Sequence, residues 1–141
     1  ACTRIPRGAD TSVNILDEQI PGEQRLLLKS RRIPVRHIGY DVSRKGLQDD
    51  EIIPFLHRLR HPTFFTLDLG FYQRGLCHER YCLVCMDIYD DEVASFVRRF
   101  LRHPEFDTQA KRMGAVIRIS RKGLWVWRLH AEREMQFDWP E

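Results

Sequence analysis

A chain of 141 residues and 16.8 kDa, 43% hydrophobic and 30% charged, has the make-up of one ordinary globular domain. A chain of that length buries roughly 70% of the surface it exposes when unfolded, so folding needs no disulfide or metal staple. Its longest apolar runs, such as Leu26-Leu27-Leu28, are far short of the ~20 residues of a membrane span. No basic-then-apolar signal opens the chain, so membrane and secreted classes are set aside and the cytoplasm is expected.

Net charge is only +3, from 23 basic and 20 acidic residues. The basic set is skewed, with 19 Arg against 4 Lys. Arg is the better bidentate phosphate ligand, although a GC-rich genome favours Arg codons as well. Cys2, Cys77, Cys82 and Cys85 are read as reduced thiols.

Residues 1–12 are polar and without periodicity, and are expected to form a flexible leader. Val13–Leu16 reads as a strand that stops at Asp17-Glu18. Pro21-Gly22 opens a helix with Leu26, Leu27 and Leu28 on its apolar face, and Pro34 ends it. Val35–Ile38 is a second strand, followed by a loop with Gly39 and Gly46. Asp49-Asp50-Glu51 suits a helix start, with Ile52, Phe55, Leu56 and Leu59 at helical period. Pro54 predicts a kink there or a later start. Thr63–Leu67 is a third strand, ending at Asp68. A Gly-bounded stretch, 69–75, leads to a fourth strand, Tyr81–Met86. Asp90-Asp91 then cap a helix with Val93, Phe96, Val97, Phe100 and Leu101 at i, i+3, i+4, i+7 and i+8. A hairpin follows, Ala115–Ile119 and Leu124–Leu129 around Lys122-Gly123.

Alternating strands and helices predict an α/β fold, three layers with helices on both faces of a mostly parallel sheet and a C-terminal β-hairpin. One domain over 13–131 and a C-terminal tail over 132–141 are expected. In open parallel sheets, ligands gather outside the carboxyl ends of the strands. The first strand ends at Asp17-Glu18 and the third at Asp68, while Asp49-Asp50-Glu51 opens the helix between. If the first and third strands are neighbours, these carboxylates share one rim. Carboxylates so placed raise one another's pKa unless a cation neutralises them. A hard divalent ion such as Mg²⁺ does so with oxygen ligands, and such ions support phosphodiester hydrolysis. The plainer reading of each acid is a solvated strand end or a helix cap.

Three segments also resemble a known family. Ile15-Leu16-Asp17-Glu18-Gln19-Ile20-Pro21 is similar to the opening "L-D-E-N-x-P" of small PIN-like proteins related to VapC toxins. Gly46-Leu47-Gln48-Asp49-Asp50-Glu51-Ile52 resembles their "G-L…D-x-x-I", and Thr66-Leu67-Asp68-Leu69-Gly70-Phe71 their "T-x-D-x-D-F". The motifs stand in family order across residues 13–102. The resemblance implies a PIN-like fold and a Mg²⁺- or Mn²⁺-dependent ribonuclease, the toxin of a toxin–antitoxin pair. RNA and an antitoxin protein would be its partners, and a homodimer is compatible with it. Asp17, Asp49 and Asp68 would then be catalytic metal ligands. Glu18 would be an auxiliary acid, Asp50 a stand-in for Asp49, and Thr66 a support for Asp68 or a bound water. Gln19 replaces the motif's Asn and Gly70 its second acid, which leaves a catalytically weak or inactive interaction or nucleic-acid-binding protein as the alternative.

The hairpin interleaves Arg118, Arg121, Lys122 and Arg128 with Trp125 and Trp127, a composition suited to holding nucleic acid. Packing of those aromatics on the domain or a partner is the plainer reading. Arg98, Arg99 and Arg102 read as a solvated helix face. Cys82 and Cys85 have zinc-type spacing, but on a strand they point to opposite faces.

Overall fold

A computed structural model describes residues 13–140; the expected leader, 1–12, lies outside the described residues. Strand β1 (Val13–Leu16) is buried over its last three residues. It is followed by α1 (Gly22–Ser30), β2 (Arg36–His37), α2 (Asp49–His57) and β3 (Pro62–Thr66). Two single 3-10 turns, Leu69–Phe71 and Arg74–Leu76, lead to β4 (Cys82–Met86). Then come α3 (Val93–Arg102), a short α4 (Gln109–Arg112), β5 (Ala115–Ser120), β6 (Gly123–Arg128) and β7 (Met135–Phe137).

All seven strands form one sheet in the order β2-β1-β3-β4-β5-β6-β7. The first five in that order run parallel, and β6 and β7 are antiparallel additions. Side-chain alternation divides the core in two. Leu16, Phe65, Val84 and Ile117 face α1 and α3 with Leu28, Val97 and Phe100. Ile15, Phe64, Leu83 and Val116 face α2 with Ile52, Phe55 and Leu56. The result is an α/β/α arrangement in which β3 and β4, covered on both faces, are buried at every residue. Cys82 and Cys85 fall into opposite halves of the core, which rules out a shared metal. Burial pushes both thiols up to about 12.

Several local expectations change. Helix α2 starts at Asp49 and passes through Pro54. Asp50 and Pro54 are both exposed, so the carbonyl that Pro54 cannot serve is within reach of water. Its start is fixed by the Glu51 carboxylate, which accepts from the Gln48 backbone N–H at 2.8 Å. Ahead of α3, residues Asp90–Glu92 form a 3-10 turn, and Glu92, not Asp90 or Asp91, accepts from the Tyr89 N–H at 3.0 Å. The stretch read as a C-terminal tail supplies β7, which pairs with β6 through Leu124–Phe137 and Val126–Met135. Among the described residues, no helix is long and apolar enough to cross a membrane.

Candidate metal centre

The chain leaves β1 through α1 to β2 at one edge, then returns across the opposite face through α2 to β3 on the other side of β1. The direction of winding therefore reverses between β1 and β3, where a crevice opens beyond the carboxyl ends of both strands. Leu16 is in register with Phe65, so Asp17 and Thr66 emerge side by side. The Asp17 N–H continues the ladder to the Phe65 carbonyl at 2.9 Å.

Asp17 is held from two sides. The Thr66 hydroxyl donates to Oδ2 at 2.6 Å, and the Glu18 N–H donates to Oδ1 at 2.8 Å. Thr66 Oγ1 also accepts the Asp68 N–H at 3.0 Å. That second bond fixes the hydroxyl as a donor to Asp17, so Thr66 orients the first acid using the backbone of the second. Asp68 is in turn held by the Gly70 N–H, 2.8 Å from its Oδ1. A Cβ at position 70 would lie 3.0 Å from that same oxygen. A side chain here would press on Asp68, so glycine suits the position.

A cleft of about 430 Å³ collects Asp17, Glu18, Asp49, Asp68 and Asp90. Its other lining residues are Gln19, Leu47, Ile52 and Leu67, so among the described residues five acids line it and no Lys, Arg or His does. Burial pushes the Asp17 carboxyl above its usual range, with the neighbouring Asp68 and Asp49 adding to the rise. Hydrogen bonds from Thr66 and Glu18 work against that rise. Glu18 also spends Oε1 on the Gly46 N–H at 2.7 Å, tying the 39–48 loop to the rim.

Of the acids singled out from the sequence, Asp17, Glu18, Asp49 and Asp68 meet here. Asp50 does not; it lines an adjoining cavity that Asp49 and Asp68 share. Asp90 joins the cleft although its position suggested a helix cap. The usable signal was its place just beyond β4, a parallel neighbour of β3. Among the described residues, no group of three or more His, Cys, Asp or Glu side chains is placed so that it could hold a metal ion as it stands. By donor chemistry alone the acids suit a hard divalent ion: they offer oxygen ligands, Asp17 is partly desolvated, and no cation stands among the described lining residues.

The hairpin cations do not form one surface. Arg118 is in register with Trp125 and Arg128 with Ala115, which places the two guanidiniums on opposite faces of the sheet. Arg121 and Lys122 lie in the β5–β6 turn at the acidic end, whereas Arg128 lies at the far end, one strand length of about 20 Å away. Comparison of the chain with protein-family models, curated proteins and solved structures finds no match, so its chemistry is read from these residues.

Proposed function

We propose that the acidic cleft holds a divalent metal ion and that the protein hydrolyses phosphodiester bonds. The observation that carries this reading is the set of five acidic residues around one crevice with no cation among the described lining residues, one of them half-buried and held by Thr66. Asp17, Asp49 and Asp68 would hold Mg²⁺ or Mn²⁺, with Glu18 and Asp90 adding negative potential at the rim. Such an ion, when bound, polarises a phosphoryl oxygen and lowers the pKa of water. The chain's own contribution is orientation. Thr66 fixes the Asp17 carboxylate, the Gly70 N–H fixes Asp68, and Glu18 anchors the loop that walls the cleft.

Within that class, the motif resemblance points to a PIN-like ribonuclease acting on RNA in the cytoplasm, as the toxin of a toxin–antitoxin pair. Lys122 stands at the same end of the sheet as the acids and would meet the RNA backbone, beside Arg121, which is paired with Glu92. A second reading, a PIN-like interaction protein with little catalysis, draws on the apolar surface of α1, where Leu26 is 60% and Leu27 42% exposed. An antitoxin or a second copy of the chain would cover it.

Mn²⁺ titration calorimetry on the wild type beside the Asp17→Asn/Asp68→Asn double variant tests the leading reading. Binding to the wild type that vanishes in the double variant, followed by Mn²⁺-dependent RNA cleavage, is the expected result. Absence of Mn²⁺ binding in the wild type would overturn it and leave the interaction reading.

A further inference from the structure

The cavity beside the acidic cleft has a different character. It encloses about 450 Å³, shares Asp49 and Asp68 with the cleft, and is walled by Ile53, Phe71 and Leu76. Phe71 is buried and set edge-on against Phe64 at 5.6 Å, giving a rigid floor. Ile53 and Leu76 are half-exposed, so apolar surface faces the opening.

The polar groups at its mouth are mostly acceptors. Asp50 is exposed on the first turn of α2, with no hydrogen bond or ion pair among the described residues. Gln73 donates one of its two amide hydrogens to the Gly70 carbonyl at 2.7 Å, which leaves its oxygen and one N–H on offer. The Gly70 N–H is already used by Asp68. No Lys, Arg or His among the described residues lines the cavity. Its complement is therefore a flat, weakly polar ring with N–H donors on one edge.

We infer that this cavity is a nucleobase subsite with guanine as its occupant, Asp50 accepting from the base's N1–H and N2–H₂. Guanine is the one common RNA base with two adjacent donors on its Watson–Crick edge, and a carboxylate is a two-acceptor fork. Unstacked bases are commonly read in this manner, by an apolar surface and hydrogen bonds to one edge. Since Asp49 and Asp68 form the shared wall, a base seated here puts its own sugar–phosphate over the acidic cleft. The inference rests on the phosphodiesterase reading and names the nucleotide beside the scissile bond.

Neutral nucleosides separate this subsite from the metal site, because they carry no phosphate to be drawn to an ion. Guanosine, inosine, adenosine, cytidine and uridine are titrated by NMR into the metal-free protein, its Asp50→Asn variant and its Asp17→Asn variant. Guanosine should bind at least about tenfold more tightly than inosine, which lacks the 2-amino group. Asp50→Asn should remove that preference, and Asp17→Asn should keep it. Equal binding of all five nucleosides, or a guanosine preference that survives Asp50→Asn, would overturn the inference. A protein that binds no Mn²⁺ yet shows the Asp50-dependent preference would refute the metal reading and sustain the base subsite.

Discussion

At the carboxyl ends of β1 and β3, five acidic residues line one cleft with no basic side chain among the described lining residues. Along β5 and β6, three of the four hairpin cations are already engaged. Arg118 lies over the Trp125 and Tyr72 rings and 3.8 Å from Asp87, Arg121 reaches Glu92 at 2.6 Å, and Arg128 covers Phe106. The first region gathers acids in a crevice, where burial, with the neighbouring Asp68 and Asp49 adding, raises the pKa of Asp17. The second satisfies its charge with rings and acids of the same domain. Uncompensated charge held in place by hydrogen bonds marks a site, whereas a dense run of Arg and Trp in sequence does not.

The contrast can be broken from either side. The largest effect is expected at the acids: Asp68→Asn should abolish Mn²⁺-dependent RNA cleavage while the circular dichroism spectrum stays that of the wild type. Outside the hairpin, Arg112 of α4 is a buried cation compensated in the same way. Its buried guanidinium donates to Thr63 Oγ1 at 3.1 Å and to the Phe106 carbonyl at 2.9 Å. Arg112→Ala strands those acceptors and should lower unfolding free energy by about 1–3 kcal/mol for each, read by urea denaturation. Thr66→Val removes the hydroxyl that orients Asp17 and accepts the Asp68 N–H, and should weaken Mn²⁺ binding about 10–100-fold.

A smaller effect sharpens the electrostatics. The folded pKa of Asp17 is raised by burial, so its protonated form favours the fold and ionisation opposes it. The stability it contributes is complete below its unfolded pKa and is lost as pH rises through the folded one. Metal-free Asp17→Asn should therefore melt above the wild type at pH 7, with the gap closing as pH falls towards 4. His37, fully buried and with its pKa lowered chiefly by burial, acts in the opposite sense and loses stability as pH falls. The difference between wild type and variant isolates Asp17 from it. The smallest effect belongs to the exposed Arg121–Glu92 pair, where Arg121→Ala should leave the melting temperature unchanged.

Much of the fold was legible because the signals were local. The run Val93, Phe96, Val97, Phe100 and Leu101 could bury itself only as a helix, and the β-branched and aromatic stretch at 63–66 only as a strand. Strand order was not legible, since β1 and β3 become neighbours through two crossovers on opposite faces, and no residue encodes that adjacency alone. β7 escaped notice because three paired residues set among charges carry no periodicity. Within the site, Asp17, Glu18, Asp49 and Asp68 were named from strand ends and a helix start. Asp90 was hidden because an acid pair before a helix reads as a cap, a role that Glu92 fills. The apolar cavity beside Asp50 was invisible, since Ile53, Phe71 and Leu76 come from separate elements.

The two outermost strands of the sheet, β2 with two residues and β7 with three, are also its shortest. A strand of that length offers an incoming chain only one or two rungs of backbone pairing, too few to hold an intruder against solvent. The five-stranded middle of the sheet, rich in Phe, Val, Ile and Cys, is thereby closed at each end by a stub. A sequence with so β-prone a centre thus has a built-in guard against edge-to-edge polymerisation, and lengthening either outer strand would be the surest route to fibres.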